Sequence, residues 1–306
     1  MDEGMSLGAP TLRVKNLRKM LDFYEGKLGL SARRREAEGA DGLKTIELGF
    51  VHSPGVLLIL KEDPNAREPP SDFAGLYHYA ALVPDRRSLA STFLAIGNSG
   101  TRFDGFADHQ VSESLYLHDV ESNGIEIYAD RPRNVWLDWR KISERVSATG
   151  DMSLMAPMSQ PLDLNALLSE LGEDPARAKP LPFPKGAKIG HMHLRVTDLE
   201  RSLRFYHEVL GLEIMMNVSQ MGAAFLSAGG YHHHIGLNTW QSQDGAPHED
   251  GEAGLDELKI VVPEQAVLGD VARQVTGSRV EGGSLTIRDP DGIRISLVSQ
   301  PTTRQA

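Results

Sequence analysis

Imidazole and carboxylate side chains are the groups of this sequence that could bind a metal ion. The 306 residues include 11 histidines and no cysteine, so neither a thiolate ligand nor a disulfide can form. Successive side chains of a strand point to opposite faces. His193 of GHMHLRV therefore lies on the face away from Met192, and Glu126 of NGIEIYAD lies on the face away from Ile125. Any metal centre of this chain must use imidazole and carboxylate ligands, and these two residues are available for it.

The elements that position these residues repeat along the chain. Residues 8–30, GAPTLRVKNLRKMLDFYEGKLGL, recur as residues 190–212, GHMHLRVTDLERSLRFYHEVLGL, with 11 of the 23 positions identical. Each copy predicts a short strand followed by a helix with an apolar stripe, and Asn16 or Asp198 is placed to cap that helix.

A weaker pair of repeats begins at Gly75, with GLYHYAALVPD, and at Gly254, with GLDELKIVVPE. In this register His78 corresponds to Glu257. The polarity of its neighbours does not decide which face of its strand His78 occupies. Because equivalent positions of equivalent modules should face the same way, we expect His78 on the face that lines a cavity between paired modules. Because several alternating runs follow each strand and helix, the sequence predicts four βαβββ modules.

The predicted fold class is α+β, with the four modules pairing into two curved, barrel-like mixed sheets. The predicted domains are an N-terminal pair at 8–130 (module 1, 8–61; module 2, 75–130), a connection at 131–188 with a short helix at 163–171, and a C-terminal pair at 189–300 (module 3, 189–240; module 4, 254–300). The long connection is either a domain boundary or a strap that permits exchanged pairing. The repeat alone leaves two pairings open. Module 1 pairs with module 2 and module 3 with module 4, or module 2 pairs with module 3 and module 1 with module 4.

Composition excludes several classes of partner. A net charge of −10 disfavours a nucleic acid, which is held by clustered basic residues. No run approaches the roughly 18 apolar residues of a membrane span, and the acidic start lacks the apolar core of a signal peptide. We therefore expect a cytoplasmic protein with a small-molecule partner and no membrane.

The repeat motif HxHLRVxDLxRSLxFYxxVLGL and the strand GIEIY resemble the vicinal oxygen chelate superfamily of glyoxalases, bleomycin-resistance proteins and extradiol dioxygenases. The resemblance extends over all four modules. The segments GLYHYAALVPDR, LYLHDVESNGIEIYADRPR and SAGGYHHHIGLNTW are more specifically similar to the catechol 2,3-dioxygenase-like proteins of bacilli.

The resemblance implies an extradiol ring-cleaving dioxygenase that uses Fe(II), with Mn(II) as the alternative, to insert O2 into a catechol-type aromatic diol. In the family pattern one ligand histidine opens a module, and its partner module supplies a second histidine and a glutamate. These positions are His193 in module 3, and His78 and Glu126 in module 2. Only pairing of modules 2 and 3 completes this set, so we hypothesise that pairing, with modules 1 and 4 as a metal-free lobe.

The family pattern also implies catalytic side chains. His233 would be the acid/base residue, with His232 or His234 as alternatives because strand parity places His233 with the apolar face. Tyr116 precedes the carboxylate ligand by ten positions, as the corresponding tyrosine does in the family, and would stabilise the oxyanion. His109 is a further candidate for a hydrogen bond to the substrate. We also allow for a homodimer.

Two other functions are compatible with the superfamily. A glyoxalase-like metal-dependent lyase or isomerase usually needs a second carboxylate ligand, and module 3 offers HHHIGLN where that ligand should lie. A non-enzymatic module that binds aromatic compounds or drugs needs no metal triad. The HHHIGLN sequence counts against the glyoxalase-like function, and the joint presence of His78, Glu126 and His193 counts against the binding module.

Overall fold

The chain folds into four modules, each with one strand, one helix and three further strands. The computed structural model describes residues 1, 4–38, 41–50, 55–172 and 183–300. The helices are α1 (Leu17–Gly26), α2 (Arg86–Asn98), α3 (Trp139–Thr149), α4 (Leu164–Ser169), α5 (Leu199–Arg204) and α6 (Gln265–Gln274).

The strands follow the predicted module order. Those of the first half and the connection are β1 (Ser6–Leu7), β2 (Thr11–Val14), β3 (Ser31–Glu38), β4 (Lys44–Gly49), β5 (Val56–Glu62), β6 (Gly75–Leu82), β7 (Gly105–Asp108), β8 (Ser112–His118), β9 (Gly124–Asp130) and β10 (Gln160–Pro161). Those of the second half are β11 (Lys188–Arg195), β12 (Glu213–Val218), β13 (Ala223–Ser227), β14 (Ile235–Asn238), β15 (Gly254–Val262), β16 (Val280–Glu281), β17 (Ser284–Arg288) and β18 (Arg294–Ser299).

Two nine-stranded sheets join modules from opposite halves of the chain. Modules 4 and 1 form the sheet β16-β17-β18-β15-β2-β5-β4-β3, in which β1 also pairs with β15. Modules 2 and 3 form the sheet β10-β7-β8-β9-β6-β11-β14-β13-β12. The predicted pair of mixed sheets is confirmed, although the described strands leave both sheets open rather than closed into barrels. The limits proposed for two sequential domains stay predictions.

First strands meet at the centre of each sheet. β6 pairs antiparallel with β11, and β2 pairs antiparallel with β15. The first and last strands of each module pair in parallel, as β6 does with β9 and β11 with β14. Side chains on the opening strands of two modules and on their last strands therefore converge on one sheet face.

The helices begin where the repeat predicts. Asn16 accepts a hydrogen bond from the Lys19 backbone N–H, and Asp198 accepts one from that of Arg201, so both side chains cap their helices. In module 3 the α-helix ends at Arg204 and continues as a π-helical turn over Phe205–Val209. The helix predicted there is thus present but changes type.

The connection between modules 2 and 3 is more structured than the sequence indicates. The predicted helix is present as α4, and α3 was not predicted. The buried side chains of α3 are Trp139, Ser143 and Val146, at the spacing of one helical face. Ser143 Oγ donates a hydrogen bond to the Asn217 carbonyl oxygen at 2.9 Å, which fixes α3 on β12. The connection therefore covers module 3.

The apolar core is continuous through all four modules. The largest fully buried side chains include four tyrosines, Tyr24, Tyr79, Tyr128 and Tyr206. Within the described parts of the chain, no helix has the length and apolar character needed to cross a bilayer.

Candidate metal centre and cavity

Three neighbouring strands bring two histidines and a glutamate together. In the register of the sheet, Glu126 on β9 lies beside Ala80 on β6, and Ala80 lies opposite His191 on β11. His78 is two residues from Ala80 and shares its face. The small side chain of Ala80 leaves room above it, so the longer side chains on either side can meet.

The ligand atoms converge on one carboxylate oxygen. Glu126 Oε2 lies 3.0 Å from His78 Nε2 and 3.0 Å from His191 Nε2. The second oxygen, Oε1, accepts a hydrogen bond from Ser114 Oγ at 2.6 Å. The potential ligand atoms of His78, Glu126 and His191 all lie within 4.8 Å of one another, and all three residues are buried.

The protonation states of Glu126 and His191 suit a divalent cation. Burial raises the pKa of the Glu126 carboxyl, but the adjacent His191 and His78 rings outweigh burial and hold that pKa well below its usual value. Burial lowers the pKa of His191 to about 4, so its imidazole is neutral near pH 7. Metal ions bind ionised carboxylates and neutral imidazoles, so the residues present fit a metal ion.

His193, the predicted third ligand, lies beside this cluster rather than in it. Its ring centroid is 4.9 Å from that of His78, and its Nε2 is buried without a hydrogen-bond partner among the described residues. The ring packs on Gly236, where even a Cβ atom would come within 3.0 Å of it. His191 occupies the place that the sequence analysis gave to His193.

The spacing between each histidine and the N-cap residue of the following helix could have distinguished His191 from His193. His78 precedes the N-cap residue of its helix, Asp85, by seven positions, and His191 precedes Asp198 by seven positions. His193 precedes Asp198 by five. Residues at equal distance from equivalent caps occupy equivalent places in the repeat, so this spacing pairs His191 with His78.

Tyr116 and His109 form a hydrogen-bonded pair on the cavity wall. His109 Nδ1 lies 3.0 Å from the Met158 carbonyl oxygen, which can only accept, so Nδ1 carries the proton. His109 Nε2, 2.7 Å from the Tyr116 hydroxyl, then accepts from it. Burial, with the Glu126 charge, raises the pKa of Tyr116 well above its usual value, so the phenol stays protonated.

His233 is connected to the partly buried carboxylate of Asp130 through His232. His233 Nδ1 lies 2.8 Å from His232 Nδ1, and His232 Nε2 lies 3.0 Å from Asp130 Oδ1. Asp130 accepts, so His232 carries its proton on Nε2, and for neutral rings its Nδ1 accepts from His233 Nδ1–H. This orientation leaves His233 Nε2 unprotonated. The ring of His233 lies 4.1 Å from that of His191, centroid to centroid.

Two comparisons with known proteins cover most of the chain. The family model described as "Glyoxalase/Bleomycin resistance protein/Dioxygenase superfamily" matches residues 6–136 and 188–297. A Bacillus subtilis (strain 168) protein named catechol-2,3-dioxygenase is 37% identical over 97% of this chain and 98% of its own length. This chain belongs to the glyoxalase/bleomycin resistance/dioxygenase superfamily.

Solved structures share the superfamily fold at low sequence identity. A putative dioxygenase from Bacillus subtilis aligns with a TM-score of 0.62 at 13% identity, over 98% of this chain and 87% of that one. Glyoxalase I from Zea mays aligns with a TM-score of 0.57 at 16% identity, over 96% of this chain and 92% of that one. At these identities the likeness shows the fold alone.

In this superfamily member the histidines and the carboxylate lie in a cavity of about 660 Å3, within the usual size range of small-molecule sites. Strands of modules 2 and 3 form its walls, and Trp139, Met155 and Met158 of the connection cover it. Trp139 stacks on His233 with 5.7 Å between ring centroids. The connection therefore completes the cavity.

Sequence analysis missed several residues of this site besides His191. It assigned no contacts to Trp139, and it named neither Ser114 nor Asp130 as a site residue. The difficulty with the parity of His233 also has a structural explanation. Residues 231–234 form an irregular segment before β14, so strand alternation does not apply to them.

Proposed function

We propose that this protein is an extradiol ring-cleaving dioxygenase, which inserts O2 into a catechol-type aromatic diol at a mononuclear Fe(II) site. The proposal rests on one observation: two imidazoles and one carboxylate converge inside a largely apolar cavity of about 660 Å3. Two histidines and one carboxylate on one face of a metal are the donor set of non-haem Fe(II) oxygenases. The relative named catechol-2,3-dioxygenase supports the same activity.

In this proposal His78, Glu126 and His191 hold the metal, with Mn(II) as the alternative to Fe(II). When bound, such an ion supplies adjacent coordination positions for both oxygens of a diol and for O2. Ser114 holds the second oxygen of Glu126, which limits the rotation of that carboxylate. The chain thus brings one carboxylate ligand and two imidazole ligands together in advance.

His233 is the acid/base residue of the proposal. Its Nδ1–H is directed to His232, so Nε2 is free to accept a proton from a diol hydroxyl in the cavity. Asp130 holds His232 in the matching tautomer. The proton accepted at Nε2 is then available to be returned to oxygen later in the reaction.

Tyr116 and His109 bind substrate oxygen in the proposal. The Tyr116 hydroxyl can turn from His109 to donate to an oxygen that gains negative charge, and His109 can accept the proton of a neighbouring hydroxyl. Trp139 and the two methionines of the connection cover the cavity and exclude water from it.

The test is anaerobic loading of the protein with Fe(II), Mn(II) or Zn(II), followed by measurement of O2 uptake with catechols and hydroquinones. We expect Fe(II)- or Mn(II)-dependent uptake with catechols and a yellow ring-fission product. Uptake with hydroquinones alone would contradict the extradiol assignment. Zn(II)- or Ni(II)-dependent isomerisation of a thiohemiacetal, without O2 uptake, would replace it by the glyoxalase-like function.

A further inference from the structure

An arginine with no counter-ion among the described residues lines one end of the cavity. Arg195 shares a face of β11 with His191 and His193 and lines the cavity. Its guanidinium carbon is 5.2 Å from the ring centroid of Phe73 and 5.8 Å from that of Tyr77. Its Nε is buried without a hydrogen-bond partner, and none of the described carboxylates contributes to its pKa, which burial lowers.

The equivalent arginine of module 1, Arg13, is neutralised by two carboxylates. Arg13 pairs in register with Lys61 on β5 and with Gly254 on β15. The residue two positions beyond each partner is an aspartate, Asp63 or Asp256. Arg13 Nη1 lies 2.7 Å from Asp63 Oδ2, and Nη2 lies 2.7 Å from Asp256 Oδ1. In this sheet the fold itself supplies the counter-ions.

At Arg195 the same two positions hold aromatic side chains. Arg195 pairs in register with Asn238 on β14 and with Gly75 on β6. Two positions beyond these partners are Trp240 and Tyr77, and both line the cavity. The sheet that forms the cavity also has an arginine at this position. Aromatic side chains stand at the two positions where the other sheet has aspartates. Arg195 is half-buried, and a partly desolvated charge without a counter-ion is unfavourable, so a ligand of opposite charge is the natural partner.

The two carboxylates that line the cavity are already engaged. Glu126 lies between His78 and His191, and Asp104 Oδ2 lies 2.6 Å from His118 Nδ1. Arg195 is therefore the unpaired full charge among the described residues that line the cavity. An entering ligand meets one uncompensated positive charge between aromatic rings.

We propose that Arg195 binds an anionic group of the substrate, so that the substrate class is aromatic diols that carry a carboxylate. This inference rests on the proposed function only in taking the ligand to be a diol. His191 and Arg195 are four positions apart on one strand, so their Cα atoms are about 13 Å apart. The carboxylate is thus bound at the end of the cavity away from the metal ligands, with the aromatic ring between them.

The test measures binding of ligands that lack hydroxyl groups, so they can neither chelate a metal as diols nor be oxidised. Benzoate, phenylacetate and 3-phenylpropionate are each compared with the corresponding amide. Quenching of Trp139 and Trp240 fluorescence reports binding, because both indoles line the cavity. For at least one pair we expect the carboxylate to bind about ten- to a hundred-fold more tightly than the amide, as for hydrogen bonds to a charged group.

Variants of Arg195 and Tyr77 decide the origin of that preference. Arg195→Gln should abolish it, and Arg195→Lys should retain part of it, which separates loss of charge from misfolding. Tyr77→Asp should also abolish it, because it supplies the counter-ion that Asp256 gives to Arg13. Arg204→Gln is the matched control, since Arg204 is an exposed arginine of the same module outside the cavity lining.

Equal binding of carboxylates and amides by the wild type would overturn the inference. A carboxylate preference that survives in Arg195→Gln would overturn it as well. The result does not depend on turnover, so a failure of the dioxygenase assay leaves this test intact.

Discussion

At the scale of single residues, His191 and His193 differ in what lies opposite them. His191 faces Ala80 across the β6–β11 pair, and its ring passes over that small side chain to Glu126. His193 faces His78 directly, and its ring contacts the His78 ring instead. The opposing residue, rather than the strand face, decides which imidazole meets the carboxylate.

This difference predicts opposite effects on metal binding. His191→Ala should weaken Fe(II) binding by roughly 100-fold or more, because it removes a ligand, a larger loss than the 10- to 100-fold that outer-shell changes cause. His193→Ala should keep stoichiometric metal. Metal content after anaerobic loading and gel filtration measures both.

His207→Ala is the control for removal of an imidazole from module 3, since His207 Nδ1 hydrogen-bonds to the Leu212 carbonyl oxygen and His207 lies outside the described cavity lining. Full iron in His191→Ala together with loss of iron in His193→Ala would restore the ligand set predicted from the sequence.

The sequence predicted His78 and Glu126 as residues of the cavity face, and the structure brings them together. It could not separate His191 from His193, because strand alternation places both on one face. The missing information was the side chain across the sheet, which depends on pairing with another module. The partners of His233 were also out of reach, since His232 approaches Asp130 across 102 residues of sequence.

At the scale of elements, the β6–β11 pair is the join on which the site depends. Leu82 and Lys188 are opposed in register at one end of this pair. Directly opposed residues of an antiparallel pair have Cα atoms about 4.5–5.5 Å apart, which is within the range of a disulfide. The chain has no cysteine, so an introduced pair cannot exchange with native thiols.

Leu82→Cys combined with Lys188→Cys should therefore form an intrachain disulfide on mild oxidation. Thiol titration and gel mobility without reductant measure it. Leu82→Cys combined with Lys259→Cys is the control, because Lys259 lies on β15 of the other sheet. Equal cross-linking of both pairs, or none in the first, would contradict the pairing of modules 2 and 3.

Elements carried by the repeat were predictable from the sequence. The strands predicted after the helices of modules 1 and 3 are present, for example Lys44–Gly49 and Ala223–Ser227. By contrast, α3 lies in the connection, where no second copy reveals it, and three buried residues are a weak signal for a helix. Its stability comes from packing on β12, which is a tertiary contact.

At the scale of the whole molecule, two equivalent contacts join the sheets. The Tyr24 hydroxyl of module 1 donates to Asp119 of module 2 at 2.8 Å, and the Tyr206 hydroxyl of module 3 donates to Asp289 of module 4 at 3.0 Å. All four side chains are buried. Each contact runs from a helix of one sheet to a loop of the other.

The second contact predicts a pH dependence of stability. Burial, together with the Asp291 charge, raises the pKa of Asp289 from 3.8 to about 7. Between pH 4 and pH 7 the Asp289 carboxyl keeps its proton in the folded protein but loses it in the unfolded chain. The contribution of Asp289 to the free energy of unfolding is therefore complete below pH 4 and decreases as pH rises to 7. The full change is roughly 4 kcal/mol.

Asp289→Asn should remove this dependence, since an amide does not ionise in this range. Its Oδ1 can still accept from the Asp291 and Ile293 backbone N–H groups, while its Nδ2 donates to the Tyr206 hydroxyl. The measurement is the free energy of unfolding in urea, wild type minus variant, from pH 4 to pH 7. Asp250→Asn serves as the control, because the hydrogen bond from Arg288 lowers the pKa of Asp250, and its effect should be flat from pH 5 to 7. A flat difference for Asp289→Asn would refute the prediction.

Exchanged pairing also sets an order of events during synthesis. Asp256 follows Arg13 by 243 residues, so the counter-ion and the strand that carries it leave the ribosome long after β2. Until then β2 and β6 each expose an edge that another nascent chain could extend. Productive folding must therefore wait for the second half of the polypeptide, and a translation product that stops at the connection carries two unpaired edges and an incomplete candidate metal site.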